Sequence, residues 1–107
     1  MLYCFKSKAG ADVLMMGDGA HAVLGLMGRA PDARGILQAA DLPALLEALE
    51  AGIDADDAQF EQAVAQAVAE GQPAPRRHGV TLRQRAWPLR DLMQRSAQAG
   101  VDVVWGV

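Results

Sequence analysis

The chain has 107 residues, of which 51% are hydrophobic and 21% charged, and its formal net charge is −3. This length allows one domain, over residues 1–107, and excludes two cores of ordinary size. The net negative charge is a weak argument against a general affinity for nucleic acid, because phosphate binding depends on local clusters of Lys and Arg and not on the net charge. The single cysteine, Cys4, excludes an internal disulfide and favours a reducing compartment.

The N-terminal segment predicts a β-hairpin. Residues 2–7 and 11–16 are short and apolar, and Gly10 can form the turn between them. Both faces of each predicted strand carry apolar side chains, so the hairpin needs cover on both sides, or a partner. Neither this segment nor any other has the apolar run of a signal peptide or a membrane span, so we expect a cytoplasmic protein with no membrane association.

The next segment, residues 17–29, is ambiguous. Asp18 is placed to cap a helix that ends near Gly28, but a glycine in its interior weakens the helical pattern. Residues 30–35 are predicted as a loop and residues 36–38 as a short extended segment.

The acidic middle of the chain predicts two helices. Apolar residues recur with helical spacing between residues 42 and 53, and Gly52 is placed to end that helix. A second helix is predicted over residues 54–70, with Phe60, Val64, Ala67 and Val68 facing inward.

A proline-containing linker, residues 72–79, leads into the C-terminal unit. Thr81 and Gln84 form a capping box, Gly100 is placed to end the helix, and residues 101–105 read as a strand. The apolar stripe of this helix has four members at helical spacing: Leu82, Ala86, Leu89 and Met93. Together the elements predict an α+β fold, with the hairpin and the C-terminal strand in one small, mostly antiparallel sheet and about four helices packed chiefly on one face.

Charge is divided unevenly along the chain. Residues 41–70 hold eight acids and no Lys or Arg, whereas residues 76–95 hold six arginines and one acid, Asp91. In one interpretation the basic helix packs beside the acidic segment and the charges pair within the monomer. In the other, part of the arginine surface is free for an anionic partner, either a protein or a nucleic acid.

The helical step of about 100° per residue separates the arginines of the C-terminal helix. Arg85 falls at the edge of the apolar stripe, so we expect it to be partly buried and paired with Glu47 or Glu50. Arg95 lies one turn after Asp91 and is expected to pair with it.

A candidate binding surface lies away from the stripe and consists of Arg83, Trp87, Arg90 and Gln94. Pro88 has no N–H for the preceding turn and predicts a kink or a restart of the helix near Trp87. The indole then either swings into the core, where tryptophan is usually found, or is held at the surface as an anchor between two arginines.

Other site types find little support in the sequence. The histidines, His21 and His78, have no Cys/His cluster near them, so we expect no zinc site. Cys4 is expected to be a buried structural cysteine. The glycines of residues 17–28 lack the spacing of a phosphate loop, and the acids after Asp54 do not match a calcium loop. We expect no metal, no cofactor and no catalytic residue.

The C-terminal sequence VTLRQRAWPLRDLMQRSAQAGVDVVWGV, residues 80–107, resembles part of a family of short bacterial proteins classed as a domain of unknown function. The segment LYCFKSKAGADVLMM and the run GIL…DLPALLEALE resemble the same family in the same order, so the resemblance covers nearly the whole chain. It implies a compact α+β domain. The family has no assigned activity, so the resemblance implies no catalytic residue.

These observations predict a non-enzymatic binding or interaction module that acts through the surface of Arg83, Trp87 and Arg90. We also expect a homodimer in which the partner covers a face or an edge of the sheet. The main alternative is a protein that binds RNA or single-stranded nucleic acid, because bases stack on arginine planes and aromatic rings. The second alternative is a small enzyme, for which the sequence shows no catalytic constellation.

Overall fold

The computed structural model describes residues 2–77 and 79–106, which form one four-stranded sheet and three α-helices. The elements in chain order are β1 (Leu2–Ser7), β2 (Gly10–Met16), α1 (Gly17–Leu26), β3 (Gly35–Leu37), a 3-10 turn (Ala39–Asp41), α2 (Leu42–Ala69), α3 (Leu82–Ala99) and β4 (Val103–Trp105). The strand order is β2-β1-β4-β3, and every neighbouring pair is antiparallel. The predicted α+β class is confirmed, as is the sheet that joins the hairpin to the C-terminal strand.

The prediction of about four helices is wrong, because the two helices expected on either side of Gly52 are one. Helix α2 runs for 28 residues without interruption. Gly52 lies inside it where α1 packs against it, and a Cβ built at Gly52 would lie only 2.6 Å from Cδ2 of Leu26. Glycine at this position therefore permits a close approach of two helices and does not end one.

The ambiguous segment after the hairpin is helical. Helix α1 has 10 residues, and Gly28 follows its end with a φ of 70°. The expected capping role of Asp18 is wrong, because Met16 occupies the N-cap position. Asp18 lies in the first turn instead, where its Oδ1 accepts a hydrogen bond from the N–H of Gly19. A carboxylate there is favoured by the positive end of the helix dipole.

The ends of α3 agree with the sequence prediction. The hydroxyl of Thr81 accepts a hydrogen bond from the N–H of Gln84, and the side chain of Gln84 accepts one from the N–H of Thr81. Gly100 adopts a left-handed conformation, with a φ of 69°, at the C-terminal end. The helix continues through Pro88 as a single element, so the expected restart near Trp87 does not occur.

The helices cover only one face of the sheet. The buried side chains of that face are Tyr3, Phe5, Met15, Leu37, Val103 and Trp105. They form one core with buried side chains of the helices, among them Val23, Leu24, Leu49, Ile53, Ala86, Leu89 and Met93. Beyond Ile53, α2 has no buried residue: Phe60, Val64 and Ala67 are only partly buried, and Val68 is 64% exposed, so the prediction that Val68 faces inward is wrong. The distal half of α2 thus extends past the core, and the molecule measures 51 Å along its longest axis.

Trp105 joins β4 to the loop that precedes β3. Its Nε1–H donates a hydrogen bond to the carbonyl oxygen of Asp32 over 2.8 Å. Its ring lies directly on Gly35, where any Cβ would overlap the indole. Since no side chain fits beneath the ring, glycine is required at this position.

A chain of hydrogen bonds fixes the hairpin turn to α3. The buried hydroxyl of Ser96 donates to the carbonyl of Leu92 over 2.7 Å, so it accepts the proton of the Ser7 hydroxyl, 2.6 Å away. The Ser7 oxygen in turn accepts a hydrogen bond from the N–H of Ala9. Each hydroxyl in this chain donates once and accepts once, which satisfies the polar atoms that the contact buries.

Candidate functional site

Arg83 faces α2 and is held there by carboxylates. Its Nη2 donates to Oδ1 of Asp54 over 2.7 Å and to Oδ2 of Asp57 over 3.1 Å, and its Nε donates to the same Asp57 oxygen over 3.2 Å. The hydrogen bonds to Asp54, and then those to Asp57, raise the pKa of the Arg83 guanidinium above its ordinary value. The charge of this arginine is therefore paired within the monomer.

Arg90 also pairs with α2, and it touches the exposed tryptophan. Its Nε contacts Oε1 of Glu50. The guanidinium carbon lies 5.1 Å from the centroid of the Trp87 ring, within the range of a cation–π interaction. The side chain of Arg90 is only 24% exposed. Glu50 thus positions Arg90, and Arg90 restrains the indole.

Trp87 lies at the surface, so the alternative in which it joins the core is wrong. The residue is 54% exposed, and it is the one large exposed hydrophobic residue of α3. Gln94, which is partly buried, lies about two turns further along the same side of the helix. The structure therefore places Arg83, Trp87, Arg90 and Gln94 on one side of α3, as expected, but it turns both arginines toward the acids of α2. We call these four residues the Trp87 surface.

Other arginines are also paired within the monomer. Arg77, in the linker, bonds to Asp57 over 3.0 Å, and its guanidinium carbon lies 4.3 Å from the centroid of the Phe60 ring. Arg95 donates to Asp91 over 3.0 Å, as predicted from their spacing. The acidic and basic segments of the sequence thus meet along α2 and α3, which supports the first of the two interpretations of the charge pattern.

The expectation for Arg85 is wrong. Arg85 is exposed and does not pair with Glu47 or Glu50; its ion-pair partner is Asp18 of α1, at 3.9 Å. Arg85 lines one cavity with Gly19 and residues of β2 and another with Asp56 and Phe60 of α2, and the acid within ion-pair distance of it is Asp18. A position at the edge of the stripe does not by itself bury Arg85 or select its acidic partner, because both depend on how the neighbouring elements pack.

The sheet face away from the helices is mostly apolar, although Lys6 also lies on it beside Val104. It carries Leu2, Cys4, Leu14, Met16, Ile36 and Val104, which we call the open face. Leu14 and Met16 are 62% and 66% exposed. Cys4 is only partly buried, so the prediction of a buried cysteine is wrong; its Sγ lies 3.8 Å from a carboxylate oxygen of Asp12. The sequence predicted that both faces of the hairpin need cover. Within the monomer the helices cover one face, and the open face stays exposed.

His21 has a structural contact. Its Nε2 lies 3.0 Å from the hydroxyl oxygen of Tyr3, and that hydroxyl donates its proton to the carbonyl of Pro31 over 2.8 Å. His21 is therefore the donor in its bond to Tyr3. His78 lies outside the described residues.

In the described part of the chain, no group of three His, Cys, Asp or Glu side chains is arranged to hold a metal ion. Among the helices of residues 2–77 and 79–106, none is both long enough and apolar enough to cross a membrane.

A groove between β2 and α3 was not foreseen from the sequence. Two adjoining cavities of about 310 Å³ and 270 Å³ share Pro88 and together touch every residue of Gly10–Met16. The α3 side of this groove, which we call the β2 groove, is formed by Gln84, Arg85, Pro88, Asp91, Leu92 and Arg95. The two apolar faces of the predicted hairpin indicated that β2 would have a neighbour. They did not indicate that this neighbour would be α3.

A family model described as "Domain of unknown function (DUF1840)" matches residues 1–105 of the chain. No curated protein and no solved structure matches the chain.

Proposed function

Because the chain belongs to the DUF1840 family, whose description names no activity, we propose a function from the geometry: a non-enzymatic interaction module that binds a protein partner through the Trp87 surface. The observation that carries this proposal is the 54% exposure of Trp87 beside an arginine that is fixed in place. Tryptophan and arginine are the residue types most enriched at the energetic centres of protein interfaces.

The setting of Trp87 favours tight contact. Glu50 holds Arg90, and Arg90 lies against the indole, so the ring loses less conformational freedom on binding than an unrestrained side chain. The ring also offers an apolar body with one N–H donor, which suits a partly polar protein surface.

The neighbouring charges favour a protein over a nucleic acid. Arg83 and Arg90 lie against carboxylates of Glu50, Asp54 and Asp57. A phosphate backbone that approached these arginines would meet the same three acids at short range, and the repulsion would offset much of the attraction that nucleic-acid binding requires. We also propose that the module acts in the cytoplasm, since a chain with one cysteine needs no oxidising compartment.

The test is capture of a partner by the purified full chain from native lysate, with and without nuclease. The variant is Trp87→Ala, and the matched control is Val80→Ala, since Val80 is also 54% exposed but lies outside the Trp87 surface. We expect Trp87→Ala to keep its melting temperature and to lose the captured protein, while Val80→Ala keeps both. Nuclease should leave capture unchanged. Equal capture by Trp87→Ala, or capture that nuclease abolishes, would overturn the proposal.

A further inference from the structure

Strand β2 is a long edge of the sheet whose protection is confined to one end, where its pairing with β1 is irregular between Gly10 and Val13. It has seven residues and pairs only with β1 among the described strands. Natural edge strands are commonly kept from pairing with other chains by Lys, by Pro, by β-bulges or by shortness. The segment Gly10–Met16 contains no Lys, Arg or Pro, and its one charged residue is Asp12. The opposite edge, β3, has only three residues.

Helix α3 runs alongside this edge in the opposite direction. The end of the groove near residues 10–13 is flanked by Asp91 and Arg95. The other end, near residues 14–19, is flanked by Arg85. Pro88 lines both halves, so the middle of the groove carries a short side chain that does not obstruct a neighbouring strand.

We propose that a second copy of this chain covers the edge, with its β2 antiparallel to this one about a two-fold axis normal to the sheet. The two sheets then continue into one another. Antiparallel pairing about such an axis uses the same strand from both copies and satisfies the outward N–H and C=O groups of each.

The charges beside the groove are self-complementary under this symmetry. One end carries Arg85 with Asp18, and the other carries Asp91 with Arg95. Because the two-fold axis reverses the direction of α3, Arg85 and Asp18 of one copy face Asp91 and Arg95 of the second copy. Each end of the groove thus brings one neutral ion pair opposite another, and neither end accumulates charge of one sign.

The apolar residues at the edge match as well. Leu14 and Met16 lie on the open face, where they are 62% and 66% exposed. Antiparallel pairing about this axis keeps the open faces of both copies on the same side, so Leu14, near the middle of the strand, comes close to Leu14 of the second copy across the axis.

Stacking of two open faces fits less well. Lys6 lies on that face next to Val104, its cross-strand partner, and is exposed. Stacking would bury this ammonium group, which is costly unless it finds a partner. Edge pairing leaves Lys6 in water.

The experiment is sedimentation equilibrium of the full chain and of two variants, combined with amide hydrogen exchange. Leu14→Lys places a charge at the proposed contact, and Ile36→Lys places the same charge on the open face at the far edge of the sheet, where Ile36 is 42% exposed. We expect a dimer whose dissociation constant rises at least about tenfold in Leu14→Lys, which corresponds to about 1.4 kcal/mol, and stays nearly unchanged in Ile36→Lys. Melting temperatures measured at concentrations where all three proteins are monomeric should be similar.

Hydrogen exchange supplies a readout that does not depend on a variant. Amide exchange within Gly10–Met16 should slow as the concentration of the wild-type protein rises, because pairing protects the outward N–H groups. A protein that stays monomeric at high micromolar concentration would overturn the inference. So would a dimer whose β2 amides are not protected, or one that Ile36→Lys weakens as much as Leu14→Lys does.

Discussion

The ring of Trp105 fills the space that a side chain at Gly35 would need, and this contact holds the loop before β3 against β4. The indole lies where a side chain at position 35 would project, and it is held there by its hydrogen bond to Asp32. The sequence pattern identified the strand that carries Trp105. It gave no indication of the glycine beneath the ring, because the two residues are distant in the chain and meet only in the folded sheet.

Replacement of Gly35 tests this contact. Gly35→Ala should lower the free energy of unfolding by about 1–3 kcal/mol, the usual cost of overpacking, and should alter the near-ultraviolet circular dichroism of Trp105. Gly25 is a matched control, because it lies within α1 with no atom within 4 Å of an added Cβ. Gly25→Ala should raise stability by about 0.5–1 kcal/mol through its effect on helix propensity and on the unfolded chain. A neutral Gly35→Ala variant would contradict the account of this contact.

The hydroxyl of Ser96 is a second residue whose role depends on a distant partner. Ser96→Ala removes the acceptor of the Ser7 proton, so stability should fall by about 1–3 kcal/mol, and less if water reaches the partly buried Ser7. Urea unfolding measures the loss, and Gln98→Ala on the exposed side of the same helix should change stability by less than about 0.5 kcal/mol. If both variants unfold at the same urea concentration, the hydrogen bonds between the hairpin turn and α3 contribute nothing to stability.

At the scale of elements, the sequence predicted those features that depend on local chemistry. The ends of α3 follow from Thr81, Gln84 and Gly100, which act on their own helix. The continuity of α2 could not be predicted in this way, because Gly52 serves a contact with Leu26 of another helix. The same limit applied to the site: helical angles placed Arg83, Trp87 and Arg90 on one side of α3, but they could not reveal which helix lies on that side.

The two halves of α2 should respond differently to truncation of a side chain. Leu49 lies in the half that packs on the core and is fully buried, so Leu49→Ala should cost about 2–5 kcal/mol. Val68 lies in the extending half and is 64% exposed, so Val68→Ala should cost less than about 0.5 kcal/mol. Equal losses in chemical denaturation would mean that the distal half of α2 is also packed against the core.

At the scale of the whole molecule, the uneven charge of the sequence becomes the contact between α2 and α3. Arg83 bonds to Asp54 and Asp57, and Arg90 contacts Glu50. A polarised sequence that suggests a large anion-binding surface thus yields a monomer whose opposite charges largely face one another, and the exposed feature left on this side of α3 is Trp87.

Salt should reveal the contribution of these pairs. Arg83→Gln should be less stable than the wild-type protein at low ionic strength, and the difference should shrink as NaCl is raised, since the pairs of Arg83 are exposed and therefore screened. Arg83→Lys keeps the charge but loses the forked hydrogen bonds, so it should be intermediate. A difference that salt does not change would indicate that Arg83 stabilises the protein through packing of its side chain.

In the proposed function, the indole of Trp87 serves contact with a partner and not the stability of the monomer. The most direct measurement is the free energy of unfolding of Trp87→Ala, obtained from urea denaturation followed by far-ultraviolet circular dichroism. We expect a value within about 0.5 kcal/mol of the wild-type protein, as for other surface substitutions. A loss of about 3–5 kcal/mol, which is typical of a buried aromatic residue, would show that Trp87 belongs to the core and would contradict the proposed interaction surface.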